Sequence, residues 1–452
     1  MDKFLKSLIV LFLLITTIVS GQKSWSLNEC VAYGLAHNLR LNDLDYNIKS
    51  NQEKYKQSYR ELLPNLSANS NYTILYGRSV DPNTNEIVSS DFYSNNYSIN
   101  ASIAIFRGFQ KLNSIASAKF LYKAVKEERL QEKYLLAFRI MTAFYDVRFY
   151  EEQLQISIEQ LAISSLNLNL VKKQIDLGLK AGSDLYEAES ILTNDELSVI
   201  QSKNNLNAAL LKLKQEMNLD YTENIGINTL DEAIFLNKSE FNKIDTDSVY
   251  QKALTFIPNI KAQEFKTNAA KKDISIAKSN LYPSLSFSAG YGTGYYETNI
   301  DEVGKVIPFH TQLKDNASQF IGFYLTIPIS ERWSNRSQIK QQKIALLQAK
   351  NNLSIQKQEL HQLIQELVQN FEATKTEYNQ TEKSEASHLL SYKIAQKKYD
   401  KGMISILELY QAKNLYANSK NRNLQVKLKL KVQKKTLDFY NGLPVFNINN
   451  TN

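Results

Sequence analysis

"LYPSLSFSAGYGTGYY", Leu281 to Tyr296, reads in two ways. Its spaced glycines resemble a loop that cradles phosphate. Its alternation resembles a strand. Leu285, Phe287, Ala289, Tyr291 and Tyr295 alternate with Ser286, Ser288, Gly290, Gly292 and Gly294. A period of two puts one apolar and one small or polar face on a β-strand. The glycines share a face, and no suitable helix opens after them, as a nucleotide-binding turn requires. The strand reading stands, and it raises the question of what the apolar face meets.

The N-terminus supplies part of the answer. "MDKFLKS" carries two lysines, "LIVLFLLITTIV" (Leu8–Val19) is apolar, and "VSG" offers small residues before Gln22. This is the plan of a secretory signal over residues 1–21, cleaved after Gly21. The apolar run is short for a membrane-spanning helix, and no later segment reaches that length. An exported chain that enters a membrane then does so as strands. Cys30 is the single cysteine, so no internal disulfide framework exists, and "LNEC" lacks the small residues of a lipid-anchor site. Cys30 is expected to be half-buried on a helix. His37, His310, His361 and His388 are scattered, with no metal-ligand spacing. The net charge of +8 comes from Lys and Arg mixed with Glu and Asp along the chain. That mixture fits solvated helix faces rather than nucleic-acid binding.

Three more segments alternate. In "LSANSNYTILY", Leu66, Ala68, Tyr72, Ile74 and Tyr76 face away from Ser67, Asn69, Asn71 and Thr73. "YSINASIAI" (97–105) and "IGFYLTIPI" (321–329) repeat the pattern. Segments of about 9–12 residues match the strands of a membrane barrel. A hairpin on a soluble core shows the same alternation. Export, tyrosines near the strand ends, and long polar loops on one side only (Gly77–Ser94, Glu297–Ala317) favour the membrane. Four strands cannot close an open barrel, and lipid leaves open edges unsatisfied. The chain is expected to oligomerise, and three copies supply 12 strands.

The chain also repeats itself. "LLPNLSANSNY" (62–72) matches "LYPSLSFSAGY" (281–291). "IFRGFQKLNSIASAK" (105–119) matches "ISERWSNRSQIKQQK" (329–343). "GLKAGSDLYEAES" (178–190) matches "GMISILELYQAKN" (402–414). The order is the same in each half, so the plan is a tandem duplication. No Gly or Pro interrupts the 69 residues from Phe109 to Leu177 or the 73 from Ile329 to Lys401. Each run predicts one helix of roughly 100 Å. Leu154, Ile158, Leu161, Leu168 and Ile175 trace a coiled-coil stripe on the first. Shorter helices are expected over about 27–63 and 247–282, and returning helices over 184–219 and 406–440. The resulting division is 1–21 signal peptide, 22–65 short helix, 66–107 hairpin, 108–221 long helix, turn and return helix, and 222–248 irregular midsection. The second half repeats it as 249–283 helix, 284–330 hairpin, and 331–441 long helix, turn and return helix, with 442–452 a flexible tail.

This pattern resembles the TolC-like outer-membrane efflux proteins of Gram-negative bacteria. The resemblance rests on the duplicated plan, "LLPNLS" and "LYPSLS", "IFRGF", and the "DLYEAE" and "ELYQAK" turns, and it covers essentially the whole mature chain. It implies a mainly α fold with a transmembrane β-barrel. In that family a homotrimer forms a 12-stranded barrel, continued by a periplasmic α-helical barrel. It implies an outer-membrane exit duct that serves a periplasmic adaptor and an inner-membrane pump, with most of its mass in the periplasm. No cofactor, metal or catalytic residue is expected. Laid onto this sequence, the family's constriction falls on Glu408 and Gln411, the second being neutral where the family is usually acidic. The gate contacts fall on Asp184 and Tyr399, beside the turns at Gly178 and Gly402. A basic residue that helps lock the second turn is replaced by Ile404. The acidic positions also fit simple helix capping. The cargo and the class of pump stay open.

Two other classes fit less of the sequence. An enzyme lacks support, because the chain has no P-loop, H-E-x-x-H or G-x-S-x-G motif. A periplasmic coiled-coil scaffold or adaptor explains the helices but not the four alternating segments.

Overall fold

A computed structural model describes residues 24–81, 84–220, 222–228 and 244–446. The expected signal peptide, much of the expected midsection and the end of the expected tail lie outside these residues. The elements, in chain order, are β1 (Ser24–Trp25), α1 (Leu27–His37), α2 (Leu39–Arg60), β2 (Asn65–Leu75), β3 (Ser79–Val80), β4 (Ile87–Val88) and β5 (Phe92–Arg107). Next come α3 (Gln110–Asp176), α4 (Gly182–Met217), β6 (Gly226–Ile227), α5 (Thr246–Phe256) and α6 (Pro258–Ser279). The chain ends with β7 (Ser284–Tyr296), α7 (Phe309–Asp315), β8 (Ser318–Thr326), α8 (Ser334–Asp400) and α9 (Ile406–Tyr440). They form two compact units, one of Tyr46–Glu127 with Lys261–Ile355, the other of the described parts of Met1–Asp45, Glu128–Ile260 and Gln356–Asn452.

The first unit is built on one antiparallel sheet in the order β2-β5-β7-β8. The hairpins of the two halves join at β5 and β7. Leu66 pairs with Ala101, Ala101 with Ala289, and Ala289 with Ile321, so apolar side chains align across all four strands. Much of that face is bare in one chain. Leu66 is 69% exposed, Ile321 75% and Phe323 66%. The other face carries Ser67 beside Asn100, and Asn69 beside Ser98 and Gly292. The four strands contain no charged residue except Arg107, the last of β5.

The strand ends differ from the sequence reading in two places. β8 stops at Thr326, short of Ile329. Thr326 pairs with Ser284, the first residue of β7, so the partner strand ends there, and Pro328 has no N–H to extend a ladder. The loop expected over 297–317 holds the short helix α7. β8 pairs with β7 only as far as Gly292. Beyond it, Asn316 Nδ2 donates to Gly294 O at 2.7 Å. Gln312 accepts from Tyr296 N at 2.9 Å and donates to Tyr296 O at 3.0 Å. Two side-chain amides thus satisfy backbone that would otherwise form a bare sheet edge.

In the second unit α1, α3, α4 and α9 close on one core. Leu136, Ile140, Met141 and Val147 of α3 are fully buried there with Leu213 and Met217 of α4. Cys30 of α1 belongs to this core and is 0% exposed, so it is fully buried rather than half-buried. Burial, and then the neighbouring Glu29, pushes its thiol up to about 12, which leaves it an inert packing residue. β1 and β6 pair in parallel, Trp25 opposite Ile227.

The two long helices have 67 residues each. The buried line on α3 follows the expected stripe only near the turn, where Leu168 is buried and Ile175 packs beside it. Ile158 is 44% exposed, whereas Ile156 and Val171 are buried. The shorter helices also need correction, because each expected single helix is two, of 11 and 22 residues. Asn38 breaks the first, and its Oδ1 accepts from the N–H groups of Arg40 (3.0 Å) and Leu41 (3.1 Å) to cap α2. Pro258 breaks the second by forcing Ile257 out of helical geometry (ψ 121°) and then opening α6 as its first residue.

Candidate functional site: the paired helix turns

The residues singled out by the sequence lie in the second unit, at the two turns between long and returning helices. Each long helix stops in the same way. Gly178 and Gly402 have φ of +73° and +71°, the left-handed region that glycine enters without a Cβ penalty. Gly178 N donates to Ile175 O, and Leu179 N to Gln174 O, both at 2.8 Å. Gly402 N donates to Tyr399 O at 2.8 Å, and Met403 N to Lys398 O at 2.9 Å. These paired bonds are the Schellman motif, which satisfies the last carbonyls of a helix.

The returning helices start with a carboxylate. Glu408 Oε1 accepts from Ser405 N at 3.4 Å, and Ser405 Oγ accepts from Glu408 N at 3.2 Å, a complete capping box. Asp184 does half of this. It accepts from Ala181 N at 3.3 Å, while Ala181 has no side-chain oxygen to return the bond. Both carboxylates therefore hold a structural post. Glu408 and Gln411 remain exposed, with side chains at the protein surface.

Tyr399 is placed differently. It is 6% exposed, its hydroxyl has no hydrogen-bond partner, and Lys180 Nζ sits 5.1 Å from its ring centre. Within this chain it is therefore not bonded to Asp184. Its ring packs with Leu168, Val171, Ala188, Ile191, Ile406 and Leu409 in a cluster from all four helices. Ile404, which stands where the resemblance implied a basic residue, packs against the same cluster. Apolar contact alone holds Ile404 in place there.

Reading the sequence missed the strongest polar feature. Lys413 of α9 is 2% exposed, and its ammonium group meets three partners: Asp195 Oδ2 at 2.5 Å, Ser164 Oγ at 2.7 Å and Gln160 O at 3.2 Å. Ser164 Oγ also donates to Asp195, itself 5% exposed. The node ties α3, α4 and α9 together. Burial pulls the Lys413 pKa down, and the hydrogen bond and charge of Asp195 oppose that shift. A signal was available. Lys413 follows Ile406 and Leu409 on the buried stripe of α9, and Asp195 follows Ala188 and Ile191 on that of α4. Opposite charges at equivalent places on two apolar stripes mark a buried pair.

Among the described residues no group of His, Cys, Asp and Glu is placed to hold a metal ion. No described helix is long and apolar enough to cross a membrane.

Three comparisons bear on this geometry. A family model described as outer membrane efflux protein matches residues 34–219 and 249–443, each span falling within one copy of the duplication. The outer membrane efflux protein BepC of Brucella suis biovar 1 is 22% identical over 271 residues, 60% of this chain and 55% of BepC. The outer membrane protein TolC of Vibrio cholerae serotype O1 is 22% identical over 218 residues, 48% of this chain and 47% of TolC. The chain thus spans about half the length of the curated relatives it matches. The crystal structure of the outer membrane protein VceC from Vibrio cholerae superposes with a TM-score of 0.75 at 14% identity, covering 92% of this chain and 96% of that one. That likeness concerns the fold.

Proposed function

The chain belongs to the outer membrane efflux protein family, and on that premise we propose that three copies form a passive exit duct of a tripartite efflux or secretion system. The family is one of efflux proteins, not enzymes, and its members lie in the outer membrane with a large helical part in the periplasm. The sheet carries the trimeric reading. β2 and β8 are its two edges, and one face carries exposed apolar side chains on every strand, Leu66, Ile99, Tyr291 and Ile321 among them. In lipid, every backbone group of those edges needs a partner, and the bare face needs hydrocarbon. Three sheets joined edge to edge satisfy both demands, with the Ser, Asn and Gly face lining a water-filled bore.

In this reading the helix turns dock to a periplasmic adaptor and an inner-membrane pump, which supplies the energy. Gly178 and Gly402 shape the mouth. Glu408 and Gln411 face the axis as its narrowest point, giving one carboxylate ring per trimer. Asp184 starts the returning helix, and Tyr399 with Ile404 keeps the turns packed at rest. The purified protein, added to planar bilayers, is expected to give discrete conductance steps with a linear current–voltage relation. Failure to conduct at any protein concentration would overturn the duct.

A further inference from the structure

From Ser286 to Gly294 the polar face of β7 carries only serine and glycine, and β8 sets two large rings against that stretch. Phe320 is 48% exposed and Tyr324 53% exposed. Both lie on the face of Ser288, Gly290 and Asn100, as the register shows: Gly290 pairs with Phe320 and Asn100, and Ser286 with Tyr324. Side chains on a strand ordinarily stand off the sheet. These rings lie down on it, each over a glycine. A Cβ added at Gly290 would overlap the Phe320 ring and come within 2.7 Å of Asn100 Oδ1. A Cβ added at Gly322 would stand 3.0 Å from the Tyr324 ring, which folds back over its own strand.

Glycine weakens a strand, because it costs backbone entropy and packs nothing. Its recurrence here calls for a compensating role, and the rings supply one. We infer that Gly290 and Gly322 are seats that hold Phe320 and Tyr324 flat against the barrel wall, and so set the largest cargo that the strand-lined part of the duct passes. The inference rests on the channel reading above. A flat ring covers backbone and leaves the bore open. A ring displaced by a Cβ rises off the sheet into the space that cargo must cross. The clashes at Gly290 are with the Phe320 ring and the Asn100 amide oxygen, both outer ends of side chains, so those side chains move while the strand keeps its register.

The test is polymer exclusion in planar bilayers, with polyethylene glycols of graded size added on the side of the strand loops. Polymers that enter the barrel lower the conductance, and the cut-off reads the barrel bore independently of the helix turns. Gly290→Val is expected to shift the cut-off to a smaller polymer, and Gly290→Ala to shift it less. Gly290→Val with Phe320→Ala is expected to restore it, and Phe320→Ala alone to leave it where the wild type has it. Gly290→Ala adds a single carbon and keeps the test valid should the valine variant fail to assemble. An unchanged cut-off in both Gly290 variants, or a larger one in Phe320→Ala alone, would overturn the seats. A wild type that forms no channel would instead overturn the duct.

Discussion

Lys413 offers the sharpest test of how the helix turns are held. Its ammonium group spends all three protons on Asp195, Ser164 and Gln160 O, with 2% of the residue exposed. Lys413→Met keeps the length of the side chain and removes the charge. Asp195 is then left buried with Ser164 as its remaining partner. Breaking a buried pair from one side costs about 3–5 kcal/mol, because the other charge is stranded. In native-state hydrogen exchange followed by mass spectrometry, that cost reads as roughly a hundred- to several-thousand-fold faster exchange in peptides covering 188–199 and 406–417. Lys413→Met with Asp195→Leu removes both charges and is expected to recover most of the protection, since an apolar replacement of such a pair is often neutral or better. The other single variant has a pH signature. In Asp195→Leu the lysine keeps its burial and loses the group that opposed the downward pKa shift. Its native pKa then lies below its unfolded pKa, so the native state binds fewer protons between the two. Stability rises with pH across that window, and Asp195→Leu should be less damaged at pH 9 than at pH 6. Less than tenfold faster exchange in Lys413→Met, or a double variant as weak as the singles, would refute the buried pair as a tie between helices.

Other expectations follow from individual residues. Gly402→Ala places a Cβ at φ +71° and should cost about 1–2 kcal/mol, with Gly402→Asn costing less, read as faster proteolytic nicking at the turn. Glu408→Gln keeps an acceptor for Ser405 N and removes the charge, so it should weaken block by multivalent cations without lowering thermal stability. Unchanged block would remove Glu408 from the constriction. Burial raises the Glu151 pKa from 4.5 to about 7, with Arg148 opposing the shift and Glu152 adding to it. The native state therefore holds that proton more tightly. The stability it contributes is present below pH 4.5 and is lost as pH rises through 7. Glu151→Gln should accordingly raise the melting midpoint relative to wild type at pH 8 and not at pH 4.

Much of this fold is legible in the sequence because two periods are cleanly separated. Where side chains alternate, as from Leu285 to Tyr295, the pleat leaves one reading, and the structure pairs those residues in register with β5 and β8. Long stretches without Gly or Pro mark α3 and α8, and Gly402 with Glu408 six residues on marks the turn into α9. What escaped is tertiary. Asn38 reads as an ordinary helix residue until its side chain caps the next helix. α7 hides in a polar loop because its purpose, offering Gln312 and Asn316 to β7, appears only when β8 proves shorter than β7. Lys413 and Asp195 sit in different halves, 218 residues apart, and only their equivalent places on two apolar stripes hint at the pair. Phe320 breaks the binary pattern of its strand, and its reason is a glycine on the neighbouring strand.

The central claim is that a four-stranded sheet with open edges β2 and β8 closes with two further copies of itself. Native mass spectrometry of the particle released from the outer membrane counts those copies directly. A single species of three chains, 12 strands in all, is expected. A particle of one or two chains, or one whose mass includes a second protein completing the sheet, would contradict it.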